Sequence, residues 1–255
     1  MTGLSPQHQH LLDSVPLPPG ADVVGERVGY DHAGDRMDGY LAHDAAAPGP
    51  RPGVLVLHDW NGEGEYTRVR AQMLARLGYV ALVADLFGEG VRPETQEAAA
   101  ELAHGYYADL PLLRARVEAA FAVLRADPRV DPERIAVVGY CFGGSSSIEF
   151  ARTGAPLRGA VSIHGGLITH EPADVAQIAA PLLVLTGAAD PVVPDEAVLA
   201  FENELRQRDD LDWQVVTYSG APHAFTLPMI ENYRPLADVR SWAALRDFLG
   251  EVLAE

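Results

Sequence analysis

The stretch that most constrains this chain is Ile135-Ala136-Val137-Val138-Gly139-Tyr140-Cys141-Phe142-Gly143-Gly144. Four apolar, mostly β-branched residues read as a buried strand, and the residues from Ser145 to Arg152 can continue as a helix. Between them lies a Gly-x-Cys-x-Gly turn, the form of a nucleophile elbow with cysteine where serine is more common. Such a turn is so tight that small residues are needed two before and two after the nucleophile, and Gly139 and Gly143 meet that need. Gly144 allows close packing of the helix. The sulfur would then sit at a helix N-terminus, where backbone N–H groups and the helix dipole favour a thiolate. Cys141 is the only cysteine in the chain. A lone cysteine is commonly a small buried core residue; the glycine frame is what argues for a reactive one.

Composition bounds the rest. A length of 255 residues suits one large α/β unit, and an apolar share of 48% can build a sizeable core. A formal net charge of −17 speaks against nucleic acid or an anionic membrane as partner, since both need basic patches. A single cysteine makes no internal disulfide, and no apolar run approaches the roughly 18 residues of a membrane span. Met1 to Gly20 lacks the basic start and apolar core of a secretory signal. The expectation is a cytoplasmic protein, monomeric or homodimeric, with no metal or cofactor. His8 and His10 lack an acidic or cysteine partner at ligand spacing.

Along the chain, residues 1–20 read as an irregular arm and residues 21–255 as a single domain. Asp22 to Tyr30 and Arg36 to His43 read as an edge hairpin joined at His32-Ala33-Gly34-Asp35, and Ala45 to Gly53 as a loop. Val54 to His58, Tyr79 to Ala84, Leu157 to His164, Leu182 to Thr186 and Trp213 to Tyr218 read as further strands. Helices are expected over Thr67–Leu77, Glu94–Tyr107, Leu110–Ala126, Asp195–Arg208 and Leu236–Leu253. Alternating strands and helices imply a mostly parallel sheet with helices on both faces.

In that architecture, functional groups gather at the carboxyl ends of the strands. Asp59, Cys141, Asp190 and His223 all fall at such ends. The chain order nucleophile, acid, histidine is that of α/β-hydrolases. His223 would share the Cys141 proton and later protonate the leaving group, while Asp190 would accept from the other ring nitrogen and fix the tautomer. The oxyanion hole is expected from the backbone N–H of Phe142 and of Trp60. His58 and His164 read as hydrogen-bonded scaffold.

Together these pieces resemble the dienelactone hydrolase (carboxymethylenebutenolidase-like) family of α/β-hydrolases, which use a Cys-His-Asp triad. The matching segments are Val54–Gly62, Ala84-Asp85-Leu86-Phe87-Gly88, the Cys141 elbow, Thr186-Gly187 with Asp190-Pro191-Val192-Val193-Pro194, and Ala221-Pro222-His223-Ala224-Phe225-Thr226. The resemblance implies a hydrolase of small esters or lactones working through an acyl-enzyme. In dienelactone-cleaving members a glutamate holds the resting thiol, and its counterpart here is Asp59, one methylene shorter. Those members also bind a substrate carboxylate with arginines, whose counterparts are Glu89 and Leu227. With Tyr140, these two positions are the candidate pocket residues. Arg92, Arg234 and Arg240 are the arginines left for an anion, and an uncharged substrate is expected. Two other classes compete: a non-catalytic binding protein on the same scaffold, which would not need Asp190 and His223 together, and a thiol redox protein using Cys141, which would have no resolving cysteine.

Overall fold

The computed structural model describes residues 3–254. The chain divides into two compact units, Met1–Ile135 and Ala136–Glu255. The first holds α1 (Pro6–Asp13), β1 (Val23–His32), β2 (Asp35–Asp44), β3 (Arg51–Leu57), α2 (Glu65–Arg76), β4 (Val80–Ala84), α3 (Gln96–Ala108) and α4 (Leu110–Ala126). Strand β5 (Val130–Tyr140) runs through the boundary. It is followed by α5 (Phe142–Ala151), β6 (Gly159–Ile163), β7 (Leu182–Gly187), α6 (Asp195–Leu205), β8 (Trp213–Tyr218) and α7 (Pro235–Val252). Among the described residues no helix is long and apolar enough to cross a membrane.

In the first unit the strand order is β1-β2-β4-β3, with β1/β2 and β2/β4 antiparallel and β3/β4 parallel. The apolar runs of β3 and β4 are buried along Val54–Leu57 and Val80–Ala84, as befits strands covered on both faces. The hairpin is longer and its turn tighter than expected: His32 pairs with Asp35, leaving only Ala33 and Gly34 in the connection. Helix α4 buries Leu113, Val117, Ala120, Phe121 and Leu124 on one face.

Part of the N-terminal arm, Pro6–Asp13, is helical rather than irregular. Pro6 opens α1 at a position where its missing N–H costs nothing, and the Ser5 hydroxyl caps the helix by accepting from the His8 N–H at 3.3 Å. Leu11 and Leu12 are buried, and Arg76 of α2 donates to the carbonyls of Leu12 and Val15.

In the second unit β5, β6, β7 and β8 are neighbours in that order and all parallel, from the Tyr140/Ile163 pair through Ile163/Leu185 to Gly187/Tyr218. Their carboxyl ends therefore share one edge. Cys141, His164, the Gly187–Asp190 turn and the chain leading to His223 all follow from that edge. Helix α5 is buried along its whole length. Its serines tolerate burial because Ser146 donates to the Phe142 carbonyl and Ser147 to the carbonyls of Gly144 and Val161.

Arg152, at the end of α5, lies in a closed charge cluster. Its side chain is fully buried, 3.1 Å from Glu149 and 2.7 Å from Glu204, and it also donates to the carbonyls of Ile168 and Asp174. Glu204 in turn accepts from the N–H groups of His170 and Asp174, so the irregular chain between β6 and β7 is tied to α5 and α6. Removing one partner of such a cluster leaves the others as buried, uncompensated charges. Arg152→Met should lower unfolding free energy by about 3–5 kcal/mol, read from the urea midpoint at unchanged slope. A loss below about 1 kcal/mol would show the cluster to be energetically idle.

Candidate active site

The backbone geometry of the elbow is enforced by sterics. Cys141 has φ 55° and ψ −114°, in the left-handed half of the map that non-glycine residues rarely enter. A Cβ on Gly139 would lie 1.8 Å from the Gly143 carbonyl oxygen, so no residue but glycine fits there. The Cys141 N–H continues the ladder to the Ile163 carbonyl at 3.0 Å, and its own carbonyl accepts from the N–H groups of Gly144 and Ser145. Phe142 is the first residue of α5, which places Cys141 at that helix's N-cap. The thiol is partly exposed.

His223 lies between Cys141 and Asp190. Its Nε2 is 3.1 Å from Cys141 Sγ and its Nδ1 is 2.9 Å from Asp190 Oδ2. The Asp190 carboxylate is buried, and its other oxygen accepts from the N–H groups of Val192 and Val193 at 2.8 and 3.1 Å. This is the turn encoded by Asp190-Pro191-Val192-Val193, and it aims the free oxygen at the imidazole. Burial pulls the His223 imidazolium down, but the hydrogen bonds to Asp190 and Cys141 outweigh it and hold the ring up at about 10. Such an arrangement can hold the proton from sulfur and deliver it to a leaving group.

His164 and Thr226 flank this centre. The His164 ring stands edge-to-face against His223 at 5.5 Å and against Phe225 at 5.3 Å, and its Nε2 is 2.7 Å from Thr226 Oγ1. Asn232 donates to the His223 carbonyl at 3.0 Å. Sequence reasoning placed His164 in the scaffold and passed over Thr226. Its signal in the sequence was its place at the end of the family-like segment that carries His223. Tyr140 is buried and tilted toward His164, and Leu227 is half-buried with its N–H on the Ala224 carbonyl.

The remaining candidates belong to the first unit. Asp59 follows β3 and is buried; its Oδ1 accepts from the backbone and side-chain nitrogens of Asn61, a local turn. Trp60 is half-buried in that turn. His58 accepts at Nε2 from the Leu86 N–H, so Nδ1 must carry the proton it donates to the Asp59 carbonyl. Burial pulls its pKa down to about 4, which keeps it neutral. Glu63, three residues beyond Trp60, was not singled out from sequence. Its carboxylate is fully buried and takes hydrogen bonds from Arg27, Arg68 and Arg92. Burial pushes that carboxyl up, and the hydrogen bonds and charges of Arg68 and Arg27 outweigh it and hold it below the ordinary range. Arg92 is thereby committed to Glu63, and its Nη1 lies 3.6 Å from Asp85. Glu89 is exposed, as are Arg234 and Arg240.

Comparison with known proteins gives this geometry its family. The model of the dienelactone hydrolase family matches residues 37–253, through both units. The chain belongs to that family of hydrolases. A dienelactone hydrolase-like promiscuous phosphotriesterase from metagenomic libraries is 37% identical in sequence, covers 92% of this chain and 100% of its own, and superposes with a TM-score of 0.87. A Bradyrhizobium protein named "Probable 2-oxo-3-(5-oxofuran-2-ylidene)propanoate lactonase" is 29% identical over 82% of this chain and 87% of its own. Pyrococcus horikoshii acylaminoacyl peptidase shares the fold alone, with a TM-score of 0.72 at 15% identity over 98% of this chain and 44% of that one. The dienelactone hydrolase fold is thus an α/β-hydrolase fold with a mostly parallel sheet, as the strand pattern anticipated.

Asp190→Asn tests the hydrogen bond that orients His223. The variant should keep its circular dichroism and lose about 10² to 10⁴ in turnover of p-nitrophenyl acetate, the cost of the wrong imidazole tautomer. With the carboxylate gone, the imidazolium loses a support that raised it, so the alkaline limb of kcat/KM should move to lower pH from about 10. An unchanged limb at full turnover would show that Asp190 does not govern His223.

Proposed function

We propose that the protein is a cysteine-dependent hydrolase of small, uncharged esters or lactones. One observation carries the reading: a single imidazole, His223, lies within hydrogen-bond reach of both the Cys141 sulfur and the Asp190 carboxylate. With the Sγ proton held on His223 Nε2, the thiolate attacks the carbonyl carbon, forming a C–S bond and a tetrahedral oxyanion. The N–H of Phe142 at the start of α5 and that of Trp60 after β3 are the proposed donors to that oxyanion. Collapse breaks the C–O bond, and His223 returns its proton to the departing alkoxide, which in a lactone stays tethered to the acyl group. Water then attacks the thioester, giving its proton to His223, and expulsion of the thiolate releases the acid.

The substrate charge follows from what stands at the two positions that would clamp a carboxylate. Glu89 is an acid and Leu227 is apolar, while Arg92 is paired with Glu63. Asp59 is the candidate for holding the resting thiol. Residues 21–255 are read as one hydrolase domain because the family match runs through both units. The lone cysteine fits a reducing, cytoplasmic compartment. The relative that is 37% identical is described as a promiscuous phosphotriesterase, which supports neutral phosphotriesters as a further substrate class for the same nucleophile.

The experiment is a titration with iodoacetamide near neutral pH. Loss of hydrolysis of p-nitrophenyl acetate should track alkylation of Cys141 one to one. Undiminished hydrolysis by fully alkylated protein would overturn the nucleophile, whereas absence of any acyl-enzyme with an activated ester would favour a non-catalytic role. In the same assay a lactone carboxylate should show lower kcat/KM than its neutral methyl ester at both low and high salt. The opposite preference would place an anion site near the substrate.

A further inference from the structure

We infer that His164 and Thr226 form a positioning pair that fixes the plane of the His223 imidazole for proton exchange with Cys141. The inference rests on the proposed hydrolytic role of Cys141 and names what holds its base in place. A ring tied by a single hydrogen bond to Asp190 can still rock about that bond and swing its Nε2 off the sulfur. Three contacts from His164 remove that freedom. Its ring stands at 65° to the His223 ring with centroids 5.5 Å apart, and at 79° to Phe225, so it wedges against the loop carrying both. Its Nε2, 2.7 Å from Thr226 Oγ1, ties the same loop three residues beyond His223.

The pair is built rather than incidental. His164 and Thr226 are each 1% exposed, and a buried hydroxyl and a buried imidazole that meet at this distance satisfy one another. His164 has φ 41°, a left-handed conformation that costs free energy in a residue with a Cβ. Its N–H is nonetheless locked to the Leu185 carbonyl at 2.8 Å, so the strained backbone is held by the β6/β7 ladder and aims the ring at His223. On the other side Ala224 has φ 59°, which turns the chain directly after His223 so that Phe225 and Thr226 fold back onto His164. Asn232 closes the loop from outside through the His223 carbonyl. The base is thus placed by strand β6 as well as by Asp190.

Three variants decide the matter: Thr226→Val, which keeps shape and removes the hydroxyl; Thr226→Ser, which keeps the hydroxyl; and His164→Phe, which keeps a ring and removes the acceptor or donor. Misplacement of a reacting group by a fraction of an ångström to an ångström costs about ten- to a hundredfold in rate. Thr226→Val and His164→Phe should therefore lower kcat by about tenfold or more, with KM within about twofold. The double variant should lose little beyond either single one, because both remove the same contact. Thr226→Ser should recover most of the lost turnover. The pH profile of Cys141 alkylation by iodoacetamide should shift in Thr226→Val, since it reports the coupling of sulfur to His223; a purely structural role would leave that profile in place. Wild-type kcat and an unshifted alkylation profile in Thr226→Val would overturn the pair. If instead alkylation leaves wild-type hydrolysis intact, it is the nucleophile assignment that fails, so the two failures are separate.

Discussion

The close approach of two backbone segments at the elbow is the constraint on which the second unit depends. The Gly143 carbonyl occupies the space that a Cβ on Gly139 would need, only 1.8 Å away. That crowding is tolerated because it lets strand β5 turn directly into α5 with a single residue, Cys141, between them. The residue in the turn takes a left-handed conformation and projects from the carboxyl edge of a parallel sheet. Relaxing the turn would free the cysteine to a comfortable backbone and lose the projection. Strain at this one position is supported by the fully buried α5, whose Ser146 and Ser147 hydroxyls donate to nearby carbonyls.

Charge is handled differently in the two units, and in each case burial demands closure. Around His223 the buried Asp190 carboxylate spends one oxygen on two backbone N–H groups and keeps the other for the imidazole. Around Glu63 one fully buried carboxylate meets three arginines. Around Arg152 one fully buried guanidinium meets two carboxylates and two carbonyls. Only the first of these leaves a titratable ring next to a nucleophile. The other two bind irregular chain: the turn after β3 and the segment between β6 and β7. Buried ion clusters of this kind fix loop geometry at a desolvation cost that pays off only when every partner is present.

What was legible in the sequence is what short-range sterics and periodicity dictate. The elbow could be read because Gly139 and Gly143 flank the cysteine at the spacing the turn requires. The central strands could be read because both-face burial demands unbroken apolar runs such as Val54–Leu57. Asp190 and His223 could be read because both follow strands in a telling order. Features made by distant partners were not legible. Glu63 draws arginines from 36, 5 and 29 residues away, and nothing local marks it as buried. Thr226 meets His164, which lies 62 residues earlier. Helix α1 was missed for a different reason. Its Gln-His-Gln-His stretch is polar, and its cues are the Ser5 cap, Pro6 and the two buried leucines Leu11 and Leu12.

Trapping the intermediate shows whether Cys141 carries the acyl group. The enzyme would be mixed with p-nitrophenyl acetate, quenched in acid within the first turnover and digested for mass spectrometry. The peptide containing Cys141 should carry one acetyl group that hydroxylamine removes, as expected of a thioester, and that adduct should be absent from His223→Ala. Acetylation of a different residue during the burst, or steady hydrolysis with no adduct at Cys141, would contradict Cys141 as the acyl carrier.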